Sequence, residues 1–414
     1  MREGWKLKTL SEVCEKITDG SHNPPKGKES GRIMLSGRNI TESGLDLTKV
    51  RYISNDEFEK EDKRTDVKPG DVLLTIVGTI GRSVVYPSGI EKMVFQRSVA
   101  ILKPNEILDS DFLSKLFNSK EYQDLFESKA RGVAQKGIYL KTLRSIPIPI
   151  PPLEEQQQIV AILDKAFAAI DQAKTNIERN IENAKELFQS KLNQIFSQTG
   201  DGWEEKTLGE VCSVLNGFAF KSKDTISNSN TQLLRMGNLY QNILDLNRKP
   251  VFYPDGFSNK YNTYLLKEGD LIMSLTGTVD KTDYGYTVKI PETDVHLLLN
   301  QRIMKIDVID KNILNKDYLR HYLLSPNFLK RLYATASGTR QANLSSRTIL
   351  TLNISFPKNI QKQREIVFLL EYLNGSKINL ENYYQQKLTN LEELKKSILQ
   401  KAFAGELTEK EIAI

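Results

Sequence analysis

Two long segments of the chain carry apolar residues at alternating intervals of three and four positions. The first segment begins after Pro152 and continues without another proline as far as Gly200. Its first turn contains Glu154 and Glu155, where the helix dipole favours negative charge. This spacing is typical of one face of an α-helix and predicts a helix within residues 151–199, roughly 68 Å long. The predicted apolar face contains Ile159, Leu163, Ile170, Ile177, Ile181, Phe188 and Ile195.

The second segment, within residues 358–408, repeats the first. The alignment is close, because Gln156 and Gln363 stand 207 residues apart (363 − 156) and the isoleucines that follow them keep that separation. A helix this long with so narrow an apolar face is not stable alone. We therefore expect the two helices to pair, although an ordinary exposed or core helix remains the alternative. The second apolar face contains Ile366, Leu370, Leu373, Leu380, Leu388, Leu391 and Ile398.

The rest of the chain is also repeated. The separation of the two copies increases slowly from 198 residues, for Cys14 and Cys212, to the 207 of the helices. Such agreement over about half the chain predicts an internal repeat with short insertions. The matched pairs include KTLSEVC with KTLGEVC, Gly70-Asp71 with Gly269-Asp270, Gly78 with Gly277, and Gln96-Arg97 with Gln301-Arg302. The predicted order is domain 1–150, helix 151–199, domain 200–357, helix 358–408 and tail 409–414.

Each globular half mixes strand and helix patterns. Short apolar runs such as DVLLTIVG and SVAILKP are bounded by Gly, Pro or Asp, as strands are. The stretch ILDSDFLSKLFNSKEYQDLFES has helical spacing instead. We therefore expect two tandem α+β domains. Because the first long helix leads directly into the second domain, the second helix has to run back along it, which predicts an antiparallel coiled coil and a pseudo-two-fold repeat.

Composition limits the class of protein. Of 414 residues, 27% are charged and 39% hydrophobic, and no run has the length of a signal-peptide core or a membrane span. A cytoplasmic protein that does not enter a membrane is expected. Two cysteines are too few for a disulfide framework or a cysteine-rich zinc site, and we expect both to be buried apolar residues.

The charge distribution weakly favours a polyanion as partner. The formal net charge is +6. Residues 1–150 contain 25 Lys and Arg against 21 Asp and Glu, and residues 202–357 contain 19 against 15. Each predicted domain is therefore basic. Two basic domains about two duplex turns apart favour nucleic acid more than the total charge does.

Motifs of catalysis and metal binding are missing. The sequence has no GxxxxGK[ST] loop, no HExxH and no CxxC. Asn23-Pro24-Pro25 is similar to the start of the NPP-aromatic motif of adenine methyltransferases, but Lys26 stands where the aromatic residue should stack on the base. We expect neither a catalytic nor a metal site in this chain. A DNA-modifying enzyme with a degenerate site stays open as an alternative, as does a coiled-coil scaffold without a DNA role.

Five segments resemble the specificity subunit of type I restriction-modification systems. They are DGSHNPPK, GDVLLTIVGTIG, PIPPLEEQQQIVAIL, NGFAFKSKD and LEELKKSILQKAFAGEL. The resemblance covers essentially the whole chain and follows the order of the repeat. It implies a non-catalytic reader of double-stranded DNA, in which each target-recognition domain reads one half of an asymmetric site and the helix pair sets the unread spacer.

The resemblance also implies partners and their cofactors. Two modification subunits would dock along the helices and methylate adenine with S-adenosylmethionine. Restriction subunits, which combine motor and nuclease, would use ATP and magnesium. No cofactor is expected in this chain itself.

Direct readout requires Arg, Lys, Gln or Asn side chains that can enter a groove. Positions that match in both halves, such as Asn39 with Asn238, have an alternative role in bracing a shared fold. Positions that differ, such as Arg82 against Lys281 and Lys136 against Ala342, are better candidates for readout. Candidates in the first domain are His22, Lys26, Arg38, Asn39, Arg82, Gln96, Arg97, Gln135 and Lys136. Candidates in the second are Lys221, Arg235, Asn238, Lys281, Gln301, Arg302, Arg340, Gln341 and Asn343.

Overall fold

A computed structural model describes residues 4–41, 44–132 and 136–407. The chain divides into two compact units. Unit 1 combines Met1–Glu178 with Gln385–Ile414, and unit 2 is Arg179–Tyr384. The predicted tail 409–414 lies outside the described residues.

The globular part of unit 1 contains both strands and helices. In chain order they are β1 (Lys6–Thr9), α1 (Leu10–Val13), β2 (Cys14–Asp19), β3 (Arg32–Leu35), β4 (Ile40–Thr41), β5 (Gly44–Leu45), β6 (Arg51–Ile53), α2 (Asn55–Thr65), β7 (Val72–Thr75), β8 (Ser83–Val85), β9 (Val94–Phe95), β10 (Val99–Pro104), α3 (Ser110–Phe117), α4 (Lys120–Lys129), α5 (Leu140–Arg144) and β11 (Pro147–Ile150). The first long helix, α6 (Leu153–Phe196), follows.

The centre of unit 1 is an antiparallel sheet with strand order β2-β10-β7-β8. Successive side chains of a strand point to opposite faces. Leu74 therefore packs among the helices on one face, while Leu73 packs against Phe95 and Tyr86 on the other. Burial on both faces explains why DVLLTIVG is continuously apolar. Phe95 belongs to a second sheet, β6-β3-β9, in which β3 and β9 are parallel.

Unit 2 repeats this arrangement. The elements of its globular part are β12 (Trp203–Thr207), α7 (Leu208–Val211), β13 (Cys212–Asn216), β14 (Thr231–Leu234), β15 (Phe252–Tyr253), α8 (Gly256–Lys260), β16 (Leu265–Leu266), β17 (Leu271–Ser274), β18 (Thr276–Thr278), β19 (Thr287–Lys289), β20 (His296–Leu299), β21 (Ile303–Val308), α9 (Lys316–Leu323), α10 (Pro326–Ala334), β22 (Gln341–Asn343), α11 (Ser346–Leu350) and β23 (Asn353–Pro357). The second long helix, α12 (Ile360–Ala404), follows, and its residues from Gln385 onward belong to unit 1.

The main sheet of unit 2 has the order β13-β21-β17-β19, which corresponds strand for strand to that of unit 1. The second sheet, β15-β14-β20-β16, again contains one parallel pair, β14 with β20. Each unit also joins its first and last strands, β1 with β11 and β12 with β23. The prediction of a repeated α+β fold is therefore confirmed.

The KTLxEVC motif forms the same helix start in each unit. The Glu12 carboxylate accepts hydrogen bonds from the backbone N–H of Thr9 (2.7 Å) and from its hydroxyl (2.6 Å). Glu210 does the same with Thr207 at 2.7 and 2.6 Å. These bonds hold the pKa of each carboxyl below its usual value. The motif closes with Cys14 or Cys212, which are buried, and burial raises the pKa of both thiols to about 12.

In unit 1, the first part of α6 packs antiparallel against the last part of α12. Leu163 lies in one core with Leu399 and Phe403. Farther along, Lys174 pairs with Glu392. The order of these contacts reverses between the two helices, as an antiparallel pair requires.

In unit 2, the last part of α6 packs against the first part of α12 in the same way. Leu192 and Ile195 share a core with Ile366 and Leu370. The Lys377 ammonium lies 5.3 Å from the centre of the Phe188 ring. Each unit thus contains a stretch of the predicted antiparallel coiled coil.

The predicted apolar faces are buried to different degrees. Residues near the domains, such as Leu163 and Leu370, are fully buried. Leu380 departs from the prediction, because it is 38% exposed. The half-buried positions beside it are Lys377 and Glu381. Polar residues therefore continue the inward face here, and Leu380 is displaced by one residue. Of the other predicted face positions, the buried ones are Ile159, Ile170, Ile177, Ile195 and Ile366, and the half-buried ones are Ile181, Phe188, Leu373, Leu388, Leu391 and Ile398.

A buried glutamine fastens the start of each long helix to its domain. Gln156 accepts a hydrogen bond from the N–H of Asp109 (2.8 Å) and donates to the carbonyls of Ile107 and Pro151 (both 2.9 Å). Gln363 repeats all three bonds, with distances of 2.7–2.8 Å. Gln156 and Gln363, which match in the sequence repeat, are therefore structural.

Candidate nucleic-acid interface

Three loop segments meet at one place in unit 1, and we call this place the first junction. The segments are Gly20–His22 after β2, Ser36–Asn39 after β3, and Gln96–Arg97 after β9. Backbone hydrogen bonds join them: the Arg97 N–H donates to the carbonyl of Ser21 (2.9 Å), and the Gln96 N–H donates to the carbonyl of Leu35 (2.8 Å). The parallel pairing of β3 with β9 brings the second and third segments side by side.

Unit 2 contains the equivalent second junction, formed by Gly217–Phe218, Arg235–Asn238 and Gln301–Arg302. The Phe218 N–H donates to the carbonyl of Leu299 (2.9 Å), and the Gln301 N–H donates to the carbonyl of Phe218 (3.0 Å). The parallel pairing of β14 with β20 again aligns the other two segments. Each domain therefore presents side chains from the same three loops.

A glycine makes each junction possible. A Cβ on Gly20 would lie 2.1 Å from the carbonyl oxygen of Phe95, and a Cβ on Gly217 would lie 2.0 Å from that of Asn300. No side chain fits at such distances, because two backbones cross in direct contact.

The asparagines of the junctions do not face solvent. Asn39 and Asn238 are 3% and 1% exposed. The Asn39 amide donates to the carbonyls of Asp46 and Lys49 (both 2.9 Å). The Asn238 amide donates to those of Asp245 (2.8 Å) and Arg248 (3.1 Å). The expectation that these two residues contact DNA is corrected: they brace the loop that follows.

The basic candidates of the junctions are accessible. Arg38, Arg97 and Arg302 are exposed, and Arg235 is half-buried. Within the residues that the structure describes, none of these four guanidinium groups forms an ion pair. Guanidinium groups without an acidic partner at the surface of each unit suit contacts with phosphates or base edges. Of the other junction candidates, Lys26, Lys221 and Gln301 are exposed, Gln96 is half-buried, and the exposed His22 bonds to Asp19 at 2.9 Å.

Arg248 and Lys249 were missed by the sequence argument. They border the second junction in an open cavity of about 740 Å³. The signal that could have found them is the repeated LDL motif, Leu45-Asp46-Leu47 and Leu244-Asp245-Leu246, which each time leads into a basic turn.

A second surface lies where β17 continues into β18. There β18 pairs with β22, so that Thr278 lies opposite Gln341. Arg340 is exposed in the loop that precedes β22. In unit 1 the corresponding contact is the Gly78 N–H donating to the carbonyl of Lys136 (3.2 Å). Lys136, Asn343 and Lys281 are exposed, Gln341 is half-buried, and Gln135 lies outside the described residues.

The sequence pairing of Arg82 with Lys281 is wrong in three dimensions. The Arg82 carbonyl accepts from the N–H of Thr75 (2.9 Å), and its counterpart is the Tyr286 carbonyl, which accepts from Ser274 (3.0 Å). The turn from Gly277 to Gly285 is longer than that from Gly78 to Gly81, and Lys281 belongs to this insertion.

Arg82 faces a cleft of about 620 Å³ in unit 1, which includes none of the first-junction residues. Lys115, Lys120, Lys395 and Lys396 also line it. Two of these cations are already partnered, since Lys115 pairs with Asp164, and Lys120 with Asp124 at 2.7 Å. The structure therefore separates Arg82 from the junction arginines.

The described parts of the chain contain no group of three or more His, Cys, Asp or Glu side chains placed to hold a metal ion. They also contain no helix that is long and apolar enough to span a bilayer.

Comparisons with known proteins identify relatives along most of the chain. The family model for the type I restriction modification DNA specificity domain matches residues 2–183 and again residues 200–390. The type I restriction enzyme EcoKI specificity subunit of Escherichia coli is 24% identical over 434 residues, covering 98% of this chain and 90% of that protein. The MjaVIII specificity subunit of Methanocaldococcus jannaschii is 24% identical over 365 residues, covering 84% and 82%.

Solved structures share the fold. A chain from a study of assembly and conformational transition in the type I R-M system superposes with a TM-score of 0.72 at 20% identity, covering 98% of this chain and 99% of that one. The HsdS subunit from Thermoanaerobacter tengcongensis superposes with a TM-score of 0.61 at 19% identity, covering 98% of both chains.

Proposed function

This chain belongs to the type I restriction modification DNA specificity domain family, and from that premise we propose that each of its two domains reads one half of an asymmetric, bipartite DNA site. The observation that carries this proposal is the repeated junction, at which the same backbone presents different side chains. Ser36 in the first junction is replaced by Arg235 in the second. Two domains that share one backbone arrangement but present different side chains are suited to recognise two different half-sites. The similarities support neither a DNA-modifying enzyme nor a scaffold without a DNA role.

The chemistry of recognition follows from the side chains present. Arginine forms paired hydrogen bonds with guanine, and glutamine with adenine, in the major groove. Lysine neutralises phosphates and fixes the register without reading sequence. The unpaired arginines of both junctions, with Gln96 and Gln301, provide the first kind of contact. Lys26, Lys221 and Arg340 provide the second, while Lys136 and Lys281 remain candidates for readout, since lysine can also bind guanine in the major groove.

The helix pair sets the distance between the half-sites in this proposal. Removing residues 178–184 from α6 and 381–387 from α12 deletes one heptad from each helix and keeps the apolar pattern in phase. The helices become about 10 Å shorter, so the unread spacer should lose about three base pairs. Alanine at the exposed Glu182 and Gln386, without a deletion, is the control. A spacer of unchanged length in the deletion variant would refute the proposal that the helix pair sets the distance between the half-sites.

The chain itself is a non-catalytic component in this proposal. Two modification subunits dock on the helices and use S-adenosylmethionine to methylate adenine, and restriction subunits use ATP and magnesium. This assembly works on duplex DNA in the cytoplasm. Methyl transfer by the purified chain alone, measured with labelled S-adenosylmethionine, should be absent, and its detection would contradict the assignment.

Duplex binding tests the role in DNA recognition directly. The full chain with its modification subunits should bind duplex, and its affinity should fall steeply with salt because phosphate contacts release counterions. The modification subunits without this chain are the control and should show no sequence preference. An affinity that does not depend on this chain would contradict the proposal.

A further inference from the structure

The two junctions differ at the turn that their buried asparagines brace. Asn39 donates to the carbonyl of Lys49, and Asn238 donates to that of Arg248. Lys49 and Arg248 therefore occupy equivalent backbone positions. A flexible ammonium in one domain is replaced by a planar guanidinium in the other.

Aromatic rings hold Arg248 in place. Its guanidinium carbon lies 4.6 Å from the centre of the Tyr240 ring. Tyr240 in turn meets Tyr286 edge to face, with 5.7 Å between ring centres. The corresponding residues of unit 1 are Thr41 and Arg82, so this support exists in unit 2 alone among the described residues. A stacked guanidinium keeps its N–H edges free for hydrogen bonds.

The turn itself is strained. Lys249 has a φ of 50°. Residues other than glycine adopt this left-handed backbone conformation at a cost in free energy, and it is frequent at functional sites. The Arg235 guanidinium donates to the Lys249 carbonyl and ties the turn to the junction. Arg235, Arg248 and Arg302 thereby surround one open cavity of about 740 Å³.

A contact with a DNA phosphate needs only a positive charge near the DNA backbone, and in unit 1 the ammonium group of Lys49 provides such a charge. A guanidinium oriented by a ring suits a partner with two acceptors at fixed spacing. Guanine presents that pair in the major groove, at O6 and N7. We propose that Arg248 determines specificity by reading a guanine in the half-site of the second domain. This inference rests on the proposed bipartite recognition.

The test uses the full chain with its modification subunits and a library of randomised duplexes, from which bound sequences are selected and sequenced. Wild type should select a guanine in one half-site. Arg248→Ala should lose preference at that base alone, by about 5- to 150-fold. Arg248→Lys should restore binding but not the full preference, and Tyr240→Ala should reduce it in part. Lys49→Ala is the matched control and should leave that guanine unaffected.

Replacement of the selected guanine by 7-deazaguanine removes the N7 acceptor. Wild type should bind this duplex less tightly, whereas Arg248→Ala should bind both duplexes equally. A bipartite motif without guanine in the affected half, or an equal loss for all sequences with Arg248→Ala, overturns the inference and leaves the proposed function standing. Selection of no bipartite motif by wild type overturns both.

Discussion

The two domains share a backbone fold and differ in the accessible side chains that this fold presents. The shared positions are buried or closely packed: Gly20 with Gly217, Asn39 with Asn238, and Gln156 with Gln363. The differing positions lie at the accessible rim, where Ser36 is replaced by Arg235 and Lys49 by Arg248. Buried matched residues of this repeat therefore belong to the scaffold, whereas we expect readout from accessible residues, both the unmatched ones and the matched Gln-Arg pairs.

The crossing glycines should give the largest effect. Alanine at Gly217 places a Cβ 2.0 Å from the oxygen of Asn300 and forces the two segments apart. We expect Gly217→Ala to reduce the free energy of unfolding of unit 2 by about 4 kcal/mol. The measurement is urea unfolding followed by the fluorescence of Trp203 in a Trp5→Phe background. Gly237→Ala is the control, since nothing lies within 4 Å of its Cβ position. Equal stability of both variants would contradict the crossing.

Loss of the buried glutamines should be the next largest effect. Gln156→Ala removes three hydrogen bonds and leaves the Asp109 N–H and two carbonyls without a partner. Thermal unfolding should show a loss of about 3 kcal/mol in unit 1, and Gln363→Ala should show a similar loss in unit 2. The exposed Gln157→Ala provides the comparison. If Gln156→Ala were no less stable than Gln157→Ala, the glutamines would not fasten the helices.

Acid should destabilise unit 2 before unit 1. Burial, aided by the charge of Arg320, lowers the pKa of His321 from 6.5 to about 4. The unfolded chain therefore takes up a proton near pH 6.5 that the folded unit takes up only near pH 4. The contribution of the neutral His321 to the free energy of unfolding of unit 2 is fully present above pH 6.5. It decreases as the pH falls towards 4, and about 2 kcal/mol is lost at pH 5. The equivalent residue of unit 1 is Lys115, so unit 1 has no histidine at this position.

Urea unfolding at pH 7.5 and pH 5.0 measures this difference. The fluorescence of Trp5 reports unit 1 and that of Trp203 reports unit 2, each with the other tryptophan replaced by phenylalanine. His321→Leu should remove the acid sensitivity of unit 2, while the exposed His296→Gln should not. Acid sensitivity that survives in His321→Leu would assign the effect to other groups.

Single arginines of the junctions should have the smallest effect, confined to one half-site. Arg97→Ala should relax base preference in one half of the recognised sequence, and Arg302→Ala in the other half. Each loss should be about fivefold to thirtyfold, equivalent to 1–2 kcal/mol. Competition binding with duplexes altered in one half at a time measures it. If both variants affected the same half, the assignment of one half-site to each domain would be wrong.

The fold could be predicted because its signals repeat. Both long helices follow from apolar spacing, and DVLLTIVG indicates a strand buried on both faces. Leu380 departs from the predicted face because Lys377 and Glu381 continue it, which periodicity of apolar residues alone does not reveal.

The site could be predicted only in part. Gln96-Arg97 and Gln301-Arg302 were found because both copies are polar, and the structure places each pair in a junction. Arg248 and Lys249 were missed, because their role depends on the ring of Tyr240 and on a strained turn. Arg82 was paired with the wrong residue, because an insertion after Gly277 shifts the alignment where the two loops differ.

Adenine methylation across the genome tests the central claim most directly. It is compared between cells that contain this chain with its modification subunit and cells that lack only this chain. The account predicts one asymmetric motif in two parts with a fixed gap, present only with the chain, and altered in one part by Arg97→Ala and in the other by Arg302→Ala. A motif that persists without the chain, or an undivided motif, would contradict it.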